Sequence, residues 1–245
     1  MLKLLSVELL KIRRSLALLM MFAIPMMVAT LNALILVRRH GAGAIRAEHW
    51  EFYWLGSSGL WCYFMLPLYI ALITTLLNGH EHKHQTWRLM LTLPMTQLQL
   101  FLVKGLLAWL FVMGASAILA LGATLGAGVL ILFGAAGQSA FDFAFMPFMA
   151  KLAVTSLPII AIQHAVSWRV QNLVAPLALG AIATMGITQM GNSSSWIWYP
   201  WVYSLIAING GDSGNQQHAL LLAAGVGTVL FAASAWFLSR REVEQ

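Results

Sequence analysis

The run His80-Glu81-His82-Lys83-His84 is the place where residue types and spacing suggest chemistry. His80 and His84 stand four apart, so a helix would put both on one face, where two imidazoles can bind zinc and Glu81 can activate a water. On that reading the chain is a membrane-embedded zinc metalloprotease. Three features oppose it: Lys83 lies between the histidines, Gln85-Thr86 follow them, and Gly79 weakens the helix just before the first ligand. A third protein ligand is also needed, and His164, at the end of a later apolar run, is the least implausible. The plainer expectation is a polar helix start with no metal and no catalytic residue, and His80 with His84 stands as the alternative metal pair. No G-x-x-x-x-G-K-[ST] stretch exists, so the chain has no phosphate cradle of its own, and any ATP it uses must be held elsewhere.

The elements around this run are those of a membrane. Of 245 residues, 60% are hydrophobic and only 9% charged, far below the roughly 25% of an ordinary soluble domain. Apolar runs near 15-37, 53-77, 105-133, 150-168, 170-190 and 218-239 predict six transmembrane helices, the first retained rather than cleaved as a signal. The expected fold is therefore all-α and polytopic, a single transmembrane domain over 1-245. The lone Cys62 excludes an internal disulfide.

Basic residues orient these runs. With the N-terminus inside, Lys3, Lys11, Arg13, Arg14, Lys83, Arg88, Lys104, Arg169, Arg240 and Arg241 are cytoplasmic, ten of the fourteen, and Arg38, Arg39, Arg46 and Lys151 are outside. Both termini are then expected in the cytoplasm of a cell with this chain in its inner (cytoplasmic) membrane. No charge is expected deep in a span, which disfavours an ion-coupled carrier.

Residues 1-14 carry leucine or isoleucine at 2, 5, 9 and 12 with Lys3, Glu8, Lys11 and Arg14 largely elsewhere, the pattern of an amphipathic helix on the cytoplasmic leaflet. Segment 79-96 begins polar and continues through Trp87, Met90 and Leu91 to Pro94, an apolar knob too small for a core and suited to a partner protein or to the headgroup region. Segment 191-217 opens on Gly191-Asn192-Ser193 and packs Trp196, Trp198, Tyr199, Trp201 and Tyr203 together. Such rings suit an outer interfacial or re-entrant helix, or an aromatic belt. Gly122 and Gly126 allow close helix approach, inside the chain or in a dimer.

The amphipathic start, the six runs, Glu81 leading into Thr86-Trp87-Arg88-Leu89-Met90-Leu91, then Leu93-Pro94 and Lys104, resemble the permease subunits of type-2 ATP-binding cassette (ABC) exporters. The nearest subgroup is the small permeases of lantibiotic and bacitracin self-protection. The resemblance implies that 1-14 is an elbow helix and 79-96 a cytoplasmic coupling helix. It implies that Glu81, Trp87, Arg88 and Leu91 face a cytoplasmic ABC ATPase dimer, with Arg169 in a second, smaller contact. It implies further that ATP and Mg sit on that partner and no cofactor on this chain. The permease would pair with a second copy or a related permease and move an amphipathic or hydrophobic compound outward, a peptide antibiotic being one such cargo. No nucleic-acid partner is expected.

Overall fold

The computed structural model describes residues 2–12, 15–84, 96–191 and 193–243, with the side chains at 2–3, 80–84 and 239–243 outside that description. Among the described residues all regular structure is helical. In chain order the helices are α1 (Leu2–Ile12), α2 (Leu16–His40), α3 (Ala47–Leu60), α4 (Leu66–His84), α5 (Gln97–Leu132), α6 (Phe145–Thr155), α7 (Leu157–Arg169), α8 (Val174–Met190), α9 (Tyr203–Asn209) and α10 (Ser213–Val243). Among the described residues four helical stretches are long and apolar enough to cross a membrane: Leu16–His40, Ala47–Gly79, Gln97–Leu132 and Ser213–Leu238. The protein is thus a multi-pass membrane protein.

The two remaining runs depart from simple spans for local reasons. Between α6 and α7 the axis bends by 42°, giving a fifth span only if the pair is counted together. Pro158 sits in the first turn of α7, and its missing N–H and bulky ring interrupt the ladder there. The last apolar helix before the aromatic segment, α8, has 17 residues, the lower limit for a crossing. Val174 receives its first-turn partner from Asn172, whose Oδ1 accepts from the Val174 amide at 2.9 Å. The helix therefore starts at 174 rather than 170.

Proline also shapes the second span. Between α3 and α4, Trp61–Met65 forms a wide turn in which the Leu66 amide donates to the Trp61 carbonyl, five residues back. Pro67 follows directly; it cannot donate to Tyr63 and its ring pushes that carbonyl aside, which favours the wider spacing. Cys62 is fully buried in this turn.

Buried polar hooks rivet these helices onto α5. Tyr53 donates to the Ala123 carbonyl at 2.8 Å, Trp61 to Ser116 Oγ at 3.1 Å and Trp109 to the Ala153 carbonyl at 2.9 Å. The most extensive pairing is α2 on α5. There, a Cβ on Gly122 would come 2.7 Å from Met26 Sδ and 3.3 Å from Ala29 Cβ, and one on Gly126 would come 2.9 Å from Tyr53 Oη. The structure thus uses both glycines inside the chain, as seats for neighbouring side chains.

The aromatic segment is organised as two short tight turns, Ser194–Trp198 and Pro200–Val202, followed by α9. Tyr203, Ser204, Ile206 and Ala207 are buried, and α9 packs on α3, α6 and α10. Its rings divide by environment: Trp198 is 80% exposed, whereas Trp201 and Tyr203 are inside.

Candidate functional site

Two ends of this bundle carry its polar residues. At the end where α1 lies, α4 and α5 flank the 85–95 segment, which lies outside the described residues. A capping box starts α5: the Gln99 amide donates to Thr96 Oγ1 at 3.2 Å, and Gln99 Oε1 faces the Thr96 amide at 3.5 Å. That start lies eight residues before the expected one, so Lys104 is two turns inside the helix.

Lys104 is 1% exposed. Its Nζ donates to the Leu77 carbonyl at 2.6 Å and stands 3.8 Å from Glu8 Oε2, and Glu8 Oε1 accepts from Lys11 Nζ at 2.5 Å. The ammonium therefore joins three elements: α1, the last turns of α4 and the first turns of α5. Lys104, expected to open the third span from a cytoplasmic loop, is instead buried within the protein near the start of α5. A hydropathy window starting at 105 leaves Lys104 in the loop, whereas the capping box draws it into the bundle. Glu8 was legible only as part of the polar side of an amphipathic helix. Its carboxylate turns toward the protein, 4% exposed.

Beside this pair is a second, neutral network. Asn78 Nδ2 donates to His164 Nδ1 at 3.1 Å and to Ser167 Oγ at 2.7 Å, and His164 Nε2 lies 3.0 Å from the Phe101 carbonyl. With a donor facing Nδ1 and an acceptor facing Nε2, the imidazole is the neutral Nε2–H tautomer. Phe101 lies against the His164 ring with centroids 4.3 Å apart, and Trp168 meets Phe101 edge-on at 5.3 Å. Among the described residues Asn78 Oδ1 has no hydrogen-bond partner in this buried setting. Both His164 nitrogens are engaged in hydrogen bonds, and a metal at Nδ1 would have to displace the Asn78 amide.

The other expected residues fall as follows. His80, Glu81 and His84 belong to the last turns of α4 by backbone, with side chains outside the described set; Trp87, Arg88 and Leu91 lie outside the described residues altogether. Among the described residues no group of three His, Cys, Asp or Glu side chains converges. Arg169 is exposed at the end of α7, its guanidinium 4.6 Å from the Phe237 ring centre.

At the opposite end, the loop 134–144 closes over α3. Trp50 donates to the Ala136 carbonyl at 2.8 Å, Trp54 to the Ala140 carbonyl at 3.1 Å, and the Ala136 amide donates to Ile45 at 2.9 Å. Trp54 stacks on Phe143 at 4.5 Å. Below them opens a cavity of ≈ 460 Å³ bordered by α3, this loop and α6. Sequence reasoning placed Trp54 in a span and Trp50 in the loop before it, and missed the cavity, because both meet a loop 86 residues further along.

A family profile described as ABC-2 family transporter protein matches residues 4–187, about three quarters of the chain. The chain belongs to that family. Neither the curated proteins nor the solved structures compared with it match. An ABC-2 permease is a membrane transport subunit rather than a catalytic enzyme, and chains of this family generally work with a cytoplasmic ABC ATPase. For an ABC-2 permease the α1 end acquires a specific interest, since Lys104 and Asn78 hold the helix ends on either side of the segment expected to meet such a partner.

Proposed function

We propose that this permease is the membrane-spanning subunit of an ATP-driven exporter that moves an amphipathic or hydrophobic compound, such as a peptide antibiotic, outward across the inner (cytoplasmic) membrane. In this reading the chain crosses six times, with the bent α6–α7 pair and the short α8 as fourth and fifth spans. Both termini are cytoplasmic, α1 is the elbow helix, and 79-96 is the coupling helix. Glu81, Trp87, Arg88 and Leu91 engage an ATPase dimer that holds ATP and Mg, with Arg169 as a second contact, and a second copy or a related permease completes the pathway. The kinship to the lantibiotic and bacitracin permeases belongs to the same proposal.

The family match carries this reading, and the wiring at the α1 end supports it. Coupling needs an element joined both to the partner and to the spans. Lys104 joins the base of α4, three residues before His80, to α5 and to Glu8. A push on the 85–95 segment would therefore be felt by α1, α4 and α5 together. His164 and Ser167 would pass it to α7 through Asn78.

Co-purification of the tagged chain in mild detergent should bring down an ATPase in fixed ratio. Trp87→Ala and Glu81→Ala should loosen that assembly or leave ATP hydrolysis without transport. A permease that purifies alone and transports without ATP would overturn the reading. Chelator-sensitive proteolysis with stoichiometric zinc would replace it by the protease.

A further inference from the structure

We propose that the cavity at the end opposite α1 binds an organic cation with an apolar body. Its size, ≈ 460 Å³, lies within the range of small-molecule sites. Its walls include Trp54, Phe143 and Phe148, and its border carries Glu48, Glu51 and Asp142. Against these three carboxylates the lining supplies one cation, Lys151, whose Nζ donates to Gln216 Oε1 at 2.8 Å on α10.

Arg39 lies over the Phe52 ring at 4.8 Å, and Glu48 has His49 Nε2 at 3.7 Å. Among the described residues no Lys or Arg nitrogen comes within 4.0 Å of the Glu51 or Asp142 carboxylates. The chain as a whole carries a net charge of +6, yet this cavity is bordered by an excess of negative charge. A hydrophobic cation satisfies both halves of the lining: the carboxylates attract its charge, and the faces of aromatic rings favour both the charge and the apolar body.

The walls are built before any ligand arrives. Trp54 is fixed by its hydrogen bond to Ala140 and its stack on Phe143, and Phe143 meets Phe148 edge-on at 5.2 Å. Rings held in place lose little freedom on binding, which favours affinity. Two sources can present this chemistry: a free amphiphilic cation, or the ammonium headgroup of a lipid. The inference rests on the proposed function only for its meaning in transport, where the cavity would hold cargo on the outer side of the membrane.

The test is equilibrium binding of radiolabelled tetraphenylphosphonium to the full chain in phosphatidylglycerol nanodiscs, against empty nanodiscs and against tetraphenylborate, an anion of the same shape. Saturable binding of the cation alone is expected. Glu51→Gln and Asp142→Asn should each weaken it about threefold and together about tenfold, as exposed charges do, and Glu51→Lys should abolish it. These side chains are exposed, so the variants should fold. Equal binding of tetraphenylborate, unchanged affinity in the double variant, or the same uptake by empty nanodiscs would overturn the proposal. Exchange into phosphatidylcholine separates the sources: competition assigns the cavity to a lipid headgroup, persistence to a free amphiphile, and either supports the cation chemistry. The assay needs no ATPase, so its failure leaves the exporter reading standing, and loss of the ATPase in co-purification leaves the cavity standing.

Discussion

The two ends of the bundle are held together by different physics. At the α1 end, a buried carboxylate and a buried ammonium bind three helices through a 3.8 Å approach and a 2.6 Å hydrogen bond. At the other end, two neutral indoles pin a loop by donating to its carbonyls. Breaking a buried charge pair strands a charge, which costs several times the loss of one neutral hydrogen bond. The α1 end is thus the brittle one, where a small displacement changes the energy steeply. The indole-stapled end is a fixed frame around its cavity. In the proposed exporter this contrast would put the more brittle joint beside the expected coupling segment.

The comparison can be broken most directly at Lys104. Lys104→Met should destabilise the protein by about 3 kcal/mol, the low end for breaking a buried pair, since the Leu77 carbonyl loses its donor while Glu8 keeps Lys11. Glu8→Gln added to it should recover a large part, both read by denaturant unfolding in detergent. Equal losses in the single and double variants would mean that the pair is not coupled. A smaller effect is expected one layer over. His164→Leu leaves the Phe101 carbonyl without its donor and Asn78 with one acceptor fewer, costing about 2 kcal/mol in the same assay. At the opposite end Trp54→Phe keeps a ring against Phe143 but frees the Ala140 carbonyl. About 1 kcal/mol should be lost, with faster limited proteolysis confined to 134–144. Should Trp54→Phe cost more than Lys104→Met, the assignment of brittle and fixed ends would be reversed. The smallest change is expected at Gly122→Ala, where the new methyl meets the flexible end of Met26. A loss near 1 kcal/mol, the low end for overpacking, should appear as a modest fall in midpoint temperature.

Much of the fold was legible residue by residue. The apolar run from Ser15 to Val37 became the helix Leu16–His40, and the run at 218-239 became part of Ser213–Val243, because length and hydrophobicity are local properties. The bend at Ser156 was in principle readable from Pro158, and the wide turn at Trp61–Met65 from Pro67, although a hydropathy window is blind to both. Gly122 and Gly126 were recognisable as sites of close approach, and only the fold shows Met26 and Tyr53 filling them.

Composition and periodicity alone determined that this chain is helical and belongs in a bilayer, and they anticipated the helix Leu2–Ile12, since each of those properties is written in neighbouring residues. They could not say that Glu8 turns inward to Lys104, that His164 spends both nitrogens on Asn78 and Phe101, or that Trp54 reaches Ala140 to wall a cavity. Those pairings span 63 to 96 positions of chain. The partner of a polar group on a helix is chosen by which face meets another helix, and that choice exists only once the helices have packed.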